Sequence, residues 1–518
     1  MLAYSAHLIS TSDELFLQVY KFNSCAHLQD SNNKWCLFAH NLIKYDSISI
    51  NFSLTALLYK VRNKNTSTFR QSLKLAWPIS LQSILVTMLG MSDIMMVGHL
   101  GDAAVASVGL GNRIQFVVLI ILSGLAAGVG VLSAQYYGAG KYTRISPIVI
   151  KTLIIGAALL LPVVLLTFVF GDRLVGLATT DPAIIDAGTQ YLWVTMPSLA
   201  FVLVVMVFEN ALRGFSQVRL SMALGSIAIS INIALNYWLI NGGLGVDALG
   251  VLGAAWATFI ARSIHALMIV FCLAKSKHIV FPTCIAGNDF YDKEQWRHLI
   301  KLVWPMMVSF GVWSLGTFVY QLIYGRIGTQ ELAVMSLMAP LEGLLVAFFF
   351  GFASACSIMV GQQLGRDAFS SAWSLARGFA ISAPIVTFFL GLLMLSLESF
   401  MFMPYSNLDQ STLAVAHDIF LLITFGTCIK VFNMTASMGI LRAGGDNKHC
   451  MLIDFSGMWV IGIPLTFAAA FYFALPIYWV VLITYSEEIV KSVLFVYRMK
   501  TKHWLRNLTL HSVPPELI

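Results

Sequence analysis

One acidic residue, Asp93, lies near the end of an apolar stretch, Leu73 to Gly101, that is long enough to cross a bilayer. A carboxylate inside a membrane is costly and is usually functional. Low-dielectric surroundings favour its protonated form, so an isolated Asp93 can hold a proton and release it when water or another cation arrives. Such binding can bias two conformations. The alternative is an acid near the outer interface that only caps or pairs, because Gly101 is about two helical turns away.

Three polar residues farther along the chain are candidates for the same site. Asn232 and Asn236 are spaced i, i+4, which places both amides on one helix face. Their carbonyl oxygens can coordinate a hard cation such as Na+ or hydrogen-bond to protonated Asp93. Thr258, on the next predicted helix, is a weaker member. The alternative for all three is ordinary interhelical packing.

The second half of the chain has intramembrane charges of its own. Glu342 and Lys430 are expected either to form a buried pair or to take part in transport, and Glu342 can attract a cationic substrate. With Tyr320 they are the candidates for a substrate cleft. Structural pairing or snorkelling is predicted for the other charges within predicted helices: Arg113, Glu209, Arg262, His265, Glu487, Glu488 and Lys491.

The composition indicates a membrane protein. Of 518 residues, 58% are hydrophobic and only 11% are charged, which is too little polar surface to cover a soluble globule. The basic residues form short clusters between apolar runs and make no continuous stripe, which argues against nucleic-acid binding. The seven cysteines are scattered without a C-x-x-C pair, so neither a disulfide framework nor a zinc site is indicated.

The elements that must position these residues are membrane-spanning helices. Uncharged runs of spanning length recur from Leu73 onward, and Phe473-Ala-Leu-Pro476 predicts a turn that divides a run too long for one helix. The runs predict twelve helices and an all-α polytopic fold. The uncharged runs include 114–140, 152–171, 187–208, 220–246, 302–325, 343–365, 378–397 and the divided stretch 455–486, and spans near 249–274 and 413–439 complete the twelve.

The loop charges predict the orientation. Lys and Arg concentrate in alternate loops and in the C-terminal tail, whereas the loops between them contain only Arg173 and Arg326. Basic loops face the cytoplasm. Both termini are therefore expected to lie inside.

The two halves of the chain repeat one another. A shift of 227 residues places LKLAWP (73–78) on IKLVWP (300–305) and brings four glycines of each half into register. Tyr320 takes the place of Asp93. Twelve helices are therefore two parallel copies of six, as in transporters whose two lobes rock.

This repeat predicts the domain boundaries. An N-terminal extension to which no function is assigned, and in which no signal peptide is recognised, precedes an N-lobe of helices 1 to 6, a cytoplasmic connector, a C-lobe of helices 7 to 12 and a cytoplasmic tail. The predicted ranges are 1–66, 67–278, 279–299, 300–500 and 501–518.

Several motifs within about residues 70 to 505 resemble the multidrug and toxic compound extrusion (MATE) family. W-P begins the first predicted helix and D-x-x-x-V-G-x-L-G ends it; S-A-Q-Y-Y-G-A-G-K and V-G-Q-Q-L-G-R follow the second and eighth. L-R-G-F and L-R-A-G-G-D follow the fourth and tenth, N-I-A-L-N lies in the fifth, and G-A-A-W-A-T lies in the sixth. Each motif alone is weak, but their order and duplication make the set specific.

The resemblance implies a V-shaped pair of six-helix lobes that expels organic, often cationic, compounds in exchange for H+ or Na+. It places Asp93 at the position of the family's essential first-helix acid, and Asn232 and Asn236 in the N-lobe cation site. Some relatives carry an acid where Asn236 stands. In the C-lobe the chain departs from the family, since acids found in other branches near Trp313 or Lys430 are missing.

Other functions have less support. GAGK at 138–141 lacks the frame of a nucleotide-binding loop, and no acid cluster or H-E-x-x-H indicates an enzyme. A flippase for lipid-linked oligosaccharides or polysaccharides remains the alternative, although Arg113, Arg262 and Lys430 are few and dispersed for phosphate binding. We expect a monomer in the bacterial inner membrane with small-molecule substrates, no nucleic-acid partner and no cofactor beyond the coupling ion.

Overall fold

The structure is a computed structural model that describes residues 46–243, 245–282, 292–402 and 410–509, with side chains from Arg70 onward. The chain forms two units, 1–70 and 71–518. Most of the predicted N-terminal extension (residues 1–45) and the middle of the predicted connector (residues 283–291) lie outside the described residues. Almost all of the described chain is helical, which confirms the predicted all-α fold.

The first half contains α1 to α7. Short 3-10 turns, Gly98–Leu100 and Tyr142–Arg144, follow the first two helices. The helices are α1 (Asp46–Val97), α2 (Asp102–Gly138), α3 (Ile145–Gly176), α4 (Pro182–Thr195), α5 (Leu199–Gly214), α6 (Val218–Asn241) and α7 (Val251–Lys275).

The second half contains α8 to α15, joined in three places by π-helical segments. The α-helices are α8 (Lys293–Ile327), α9 (Thr329–Gly365), α10 (Phe369–Ser396), α11 (Glu398–Phe402), α12 (Gln410–Met434), α13 (Asn447–Phe455), α14 (Ile463–Phe467) and α15 (Ile477–Lys500). The π segments are Thr435–Leu441, Ser456–Gly462 and Ala468–Tyr472.

The number of spans agrees with the sequence prediction. Ten helical stretches of the described chain are long and apolar enough to cross a membrane, and the bent pair α4–α5 makes an eleventh. The more highly charged α15 completes twelve, and the predicted turn at residues 473–476 separates it from the preceding span. We call α1–α7 from residue 71 onward the N-lobe and α8–α15 the C-lobe.

One predicted helix is broken. The uncharged run 187–208 predicts a continuous span, whereas α4 and α5 meet at an angle of 46°. Pro197 lies at the break, where it lacks the N–H that a continuous helix would use and where its ring would clash with the carbonyl four residues earlier. The Ser198 hydroxyl donates to the Thr195 carbonyl at 2.6 Å. The break frees Ser198 to serve as a polar partner inside the lobe.

Two of the four glycine pairs that match between the halves, Gly124 with Gly351 and Gly138 with Gly365, lie where the lobes touch. A Cβ on Gly124 would lie 2.9 Å from the Met307 Cα, and a Cβ on Gly351 would lie 2.6 Å from the Ala76 carbonyl oxygen and closer still to Ser80. Ser80 and Met307 are themselves related by the shift of 227 residues. Each lobe therefore presents a glycine to the same place on the other lobe, which lets helix backbones approach closely.

The same reciprocity holds at the Gly138 end of α2. A side chain on Gly138 would collide with the Gln362 carbonyl, and one on Gly365 would collide with the Gln135 carbonyl. Both glutamine side chains bind the opposite lobe: Gln135 Nε2 donates to the Ala443 carbonyl at 2.7 Å, and Gln362 Nε2 donates to the Gly214 carbonyl at 2.9 Å. The lobes are closed against each other at this end.

A C-terminal segment, residues 501–509, lies across this closed end. The Leu508 N–H donates to Gln135 Oε1 at 2.7 Å, and Lys141 Nζ donates to the Thr509 carbonyl at 3.1 Å, so the segment binds the N-lobe. Asn507 Nδ2 donates to Asp367 at 2.8 Å, which ties the segment to the C-lobe as well. The Trp504 side chain is fully buried. The segment therefore clasps both lobes.

Candidate ion-coupling site

The structure brings Asp93 and the two predicted asparagines together. Asn236 Nδ2 donates to Asp93 Oδ1 at 2.6 Å and to Asn232 Oδ1 at 3.0 Å. Asn232 and Asn236 are 4% and 0% exposed, whereas Asp93 is half-buried. Because α6 places residues four apart on one face, Asn232 can bind the same amide that contacts the acid on α1. The site is a carboxylate that accepts from Asn236, which is itself hydrogen-bonded to Asn232.

This amide pair leaves one acceptor unused. The Asn236 amide nitrogen donates to two acceptors. Its own carbonyl oxygen, Oδ1, is buried without a hydrogen-bond partner among the described residues. A buried unsatisfied carbonyl is costly. The carbonyl and the carboxylate beside it are oxygen ligands of the kind that Na+ prefers, or acceptors for a proton carried by Asp93. The donor set therefore fits either coupling ion.

Asp93 lies within the electrostatic influence of a base on another helix. The positive charge of Arg262 on α7 acts on Asp93. Arg262 is held by Gln115 at 3.0 Å and by Ser198 at 2.8 Å, at the α4–α5 break. Thr258 is also buried on α7, but it makes no hydrogen bond to the amide pair or the acid in the described part of the chain. The coupling role of Thr258 stays a prediction.

In the C-lobe, Glu342 and Lys430 form the ion pair that their positions suggest. Lys430 Nζ donates to Glu342 Oε1, and the two side chains remain 31% (Lys430) and 23% (Glu342) exposed. The same ammonium lies 4.9 Å from the centre of the Tyr485 ring. The pair joins α9 and α12 and lies over an aromatic face of α15.

Tyr320, which replaces Asp93 in the repeat, donates its hydroxyl to Glu487 on α15. Lys491 Nζ donates to Glu487 at 2.6 Å and to Glu488 at 2.9 Å, which confirms the predicted local pairs of the last helix. Glu488 also accepts from Asn433 at 2.7 Å. Only 7% of Tyr320 is exposed. Its predicted place in a substrate cleft stays a prediction.

Glu209 is paired, as predicted, but the sequence did not predict the buried N-lobe cluster in which it lies. Gln82 Nε2 donates to Glu209 at 2.8 Å, and Arg213 donates to the Gln82 carbonyl oxygen at 3.1 Å while its charge lies 3.7 Å from Glu209. His265 Nε2 is 3.8 Å from the same carboxylate. Glu209 is thus a second buried acid, engaged by α1, α5 and α7.

The C-lobe has an equivalent cluster. Arg442 donates to Ser309 at 2.8 Å and to Asp454 at 3.0 Å, and the Ser309 hydroxyl donates to Asp454 at 2.5 Å. Ser309 corresponds to Gln82 at the shift of 227 residues, and Arg442 corresponds to Arg213 at 229. The repeat was the signal that could have revealed both clusters, because it pairs the two arginines.

Removal of the Asp454 carboxylate should destabilise the C-lobe. Asp454→Ala leaves Arg442, which is 4% exposed, without its countercharge. We expect the free energy of unfolding to fall by about 2 kcal/mol. This is less than for a fully buried pair, because the Asp454 side chain is 21% exposed. Thermal unfolding of the detergent-solubilised protein measures it. Asp186→Ala, which removes an exposed acid bonded to Gln190, is the control; equal unfolding curves for both variants would contradict the prediction.

Two helical lobes that exchange equivalent contacts, with a hydrogen-bonded acid within one of them, define a two-lobe membrane transporter. The MatE family model matches residues 78–238 and 305–468, one stretch in each lobe. The chain belongs to this family, the multidrug and toxic compound extrusion transporters, and is a transporter and not an enzyme.

Individual relatives agree with this assignment. The chain is 26% identical over 420 residues to the "Probable multidrug resistance protein NorM" of Photorhabdus laumondii, covering 78% of this chain and 88% of that protein. A multidrug resistance MATE family transporter in an outward-facing conformation superposes with a TM-score of 0.76 at 17% identity, over 84% of this chain and 96% of that one. A MOP superfamily transporter from Pyrococcus furiosus superposes with a TM-score of 0.76 at 16% identity, over 84% of this chain and 96% of that one. The reverse polarity of its binding pocket suggests a different function for that transporter. These structures share the fold.

Proposed function

We propose that the protein is a secondary active antiporter that exports organic, often cationic, compounds in exchange for H+ or Na+. The observation that carries the proposal is the contact between Asn236 and Asp93, which couples an ion-binding acid on α1 to α6. The NorM relative is named as a multidrug resistance protein, which supports the substrate class. We further propose that it acts as a monomer in a bacterial inner membrane with both termini in the cytoplasm.

The amide of Asn236 can report the state of the acid. When Asp93 is ionised it accepts the Asn236 N–H, as in the structure. When Asp93 is protonated, its hydroxyl donates to the Asn236 carbonyl oxygen. The Asn236 amide group then rotates, and its hydrogen bond to Asn232 is lost. With Na+ the same carbonyl turns toward the metal. Ion binding therefore rearranges the contact between α1 and α6.

Export then requires the lobes to part at the end where they are closed. The contacts of Gln135 and Gln362 and the matching glycines hold the Gly138 end shut, and the predicted topology places that end at the cytoplasm. In the proposed cycle, a state closed at this end releases cargo and takes up the coupling ion on the outer side of the membrane. The coupling ion binds the two conformations with unequal affinity at Asp93. Its binding therefore shifts the equilibrium toward the opposite conformation.

The experiment that tests the proposal is dye efflux from vesicles under separately imposed proton and sodium gradients. Efflux under only one gradient names the coupling ion. Absence of efflux under both gradients, with protein correctly inserted, would refute antiport.

Loss of the Asn236 amide should weaken ion coupling without abolishing it. Asn236→Leu keeps the volume but removes the hydrogen bond to the carboxylate, so we expect the ion concentration for half-maximal efflux to rise about tenfold. Asn241→Leu on the same helix is the control, because the Asn241 amide donates to the Tyr237 carbonyl at the exposed end of α6. Equal ion dependence in both variants would remove Asn236 from the site.

The flippase alternative receives no support from the positions of the basic residues. Arg113 donates to Gln321, Arg262 is held by Gln115 and Ser198, and Lys430 is paired with Glu342. Each of these charges already has an internal partner and none joins another in a phosphate-binding cluster.

A further inference from the structure

Lys430 occupies a site with the features of a receptor for an organic ammonium group. Its Nζ is held by the Glu342 carboxylate and lies 4.9 Å from the centre of the Tyr485 ring. A carboxylate beside an aromatic face is the arrangement that recognises ligand cations. Three different helices, α9, α12 and α15, supply the acid, the ammonium and the ring.

The Tyr485 hydroxyl shows that this site has unused capacity. The side chain is 94% buried, because only 6% is exposed, and its hydroxyl has no hydrogen-bond partner among the described residues. It lies within the electrostatic influence of Lys430, Glu342 and Glu488. A buried hydroxyl without a partner is costly unless a ligand or water satisfies it.

Lys491, a buried lysine of the C-lobe, provides a contrast with the partly exposed Lys430. Lys491 is bound by two carboxylates, Glu487 and Glu488, and its side chain is only 7% exposed. Lys430 has one carboxylate partner and is 31% exposed. The Lys430 side chain is therefore accessible from outside the cluster, whereas that of Lys491 is enclosed. The ammonium of Lys430 can therefore leave its site by a rotation of its flexible stem.

We propose that Glu342 and Tyr485 form the binding site for the ammonium or phosphonium group of an exported cation, and that the Lys430 ammonium fills this site when no cation is bound. An incoming cation displaces Lys430, takes its place beside the carboxylate and over the ring, and pushes the lysine toward water. When the cation leaves, Lys430 returns and neutralises Glu342. The inference rests on the proposed export of organic cations and names the site that receives them.

Equilibrium binding of tetraphenylphosphonium to the purified full-length protein tests this without any ion gradient. Lys430→Met removes the competitor, so we expect binding to tighten about tenfold. Glu342→Gln should weaken binding about tenfold, and the double variant should bind no more tightly than Glu342→Gln. Lys430→Arg keeps the charge and should bind as wild type does. Weaker or unchanged binding by Lys430→Met would overturn the proposal.

A second measurement uses the wild-type protein and does not depend on the folding of a variant. Displacement exposes the Lys430 ammonium, so acylation of this lysine by an amine-reactive reagent should increase severalfold when tetraphenylphosphonium is present. Lys491, scored by mass spectrometry in the same digest, is the internal control and should not change. Protection of Lys430, or no change, would contradict displacement.

These outcomes are separable from the fate of the proposed function. If vesicles show no gradient-driven efflux while Lys430→Met binds more tightly, the site stands and antiport falls. If efflux is normal while Lys430→Met binds no more tightly, antiport stands and the displacement model falls.

Discussion

Asp93→Asn should abolish gradient-driven efflux while leaving the protein folded. The amide has the shape of the acid and can still bond to Asn236, but it can neither take up a proton nor balance a metal ion. With no ion-dependent difference between the two conformations, the gradient does no work on the cargo. We expect efflux to fall by about 100-fold, toward the upper end of measured coupling between sites. Vesicle dye efflux, with folding checked by size-exclusion chromatography, measures this.

The control for this variant is Asp102→Asn, the same change at an exposed acid at the start of α2. It should transport as wild type does. Full efflux by Asp93→Asn would refute the assignment of Asp93 as the coupling acid, and aggregation of that variant alone would indicate a structural role.

Replacing both glycines at the closed end should open it. In Gly138→Ala/Gly365→Ala each new methyl group collides with a backbone carbonyl of the opposite lobe, which cannot rotate away as a side chain can. Overpacking of this kind costs about 1–3 kcal/mol. Because the cost falls only on the state in which the lobes touch, we expect a roughly 5- to 150-fold shift toward the opposite state.

Distances between spin labels can measure this shift. Cysteines introduced for Thr143 and Ser370, which are exposed and related by the repeat, carry the labels in a background without native cysteines. The distance distribution should move to longer values in the double variant. Gly109→Ala on α2 is the control, because its methyl group would meet nothing within 4 Å. An unchanged distribution in the double variant would show that these glycines do not hold the lobes together.

The acid and its amides could be found from the sequence because the signal is local. An acid in an apolar run and two asparagines four residues apart are each visible within one helix, and the contact between Asn236 and Asp93 joins them. The family resemblance supplied the remaining step, that α6 meets α1. The ion pairs within the last helix were also visible, since Lys491 is three and four residues from its partners.

Contacts between distant helices could not be found in the same way. Arg262 reaches Ser198 only because Pro197 breaks the preceding span, and Glu209 meets Gln82 across 127 residues of chain. Periodicity indicates which helix face is apolar but not which helix it meets. The repeat marked the glycines at the lobe interface, yet their role as contacts between backbones required coordinates.

The clasp formed by residues 501–509 bears on the order in which the molecule is assembled. Leu508 and Thr509 supply partners to Gln135 and Lys141, which are made by the ribosome more than 360 residues earlier. The first lobe can insert and pack while translation continues, but its hydrogen bonds to residues 501–509 form only after that segment has been made. Until then the closed end of the lobes lacks the contacts that this segment makes with both of them.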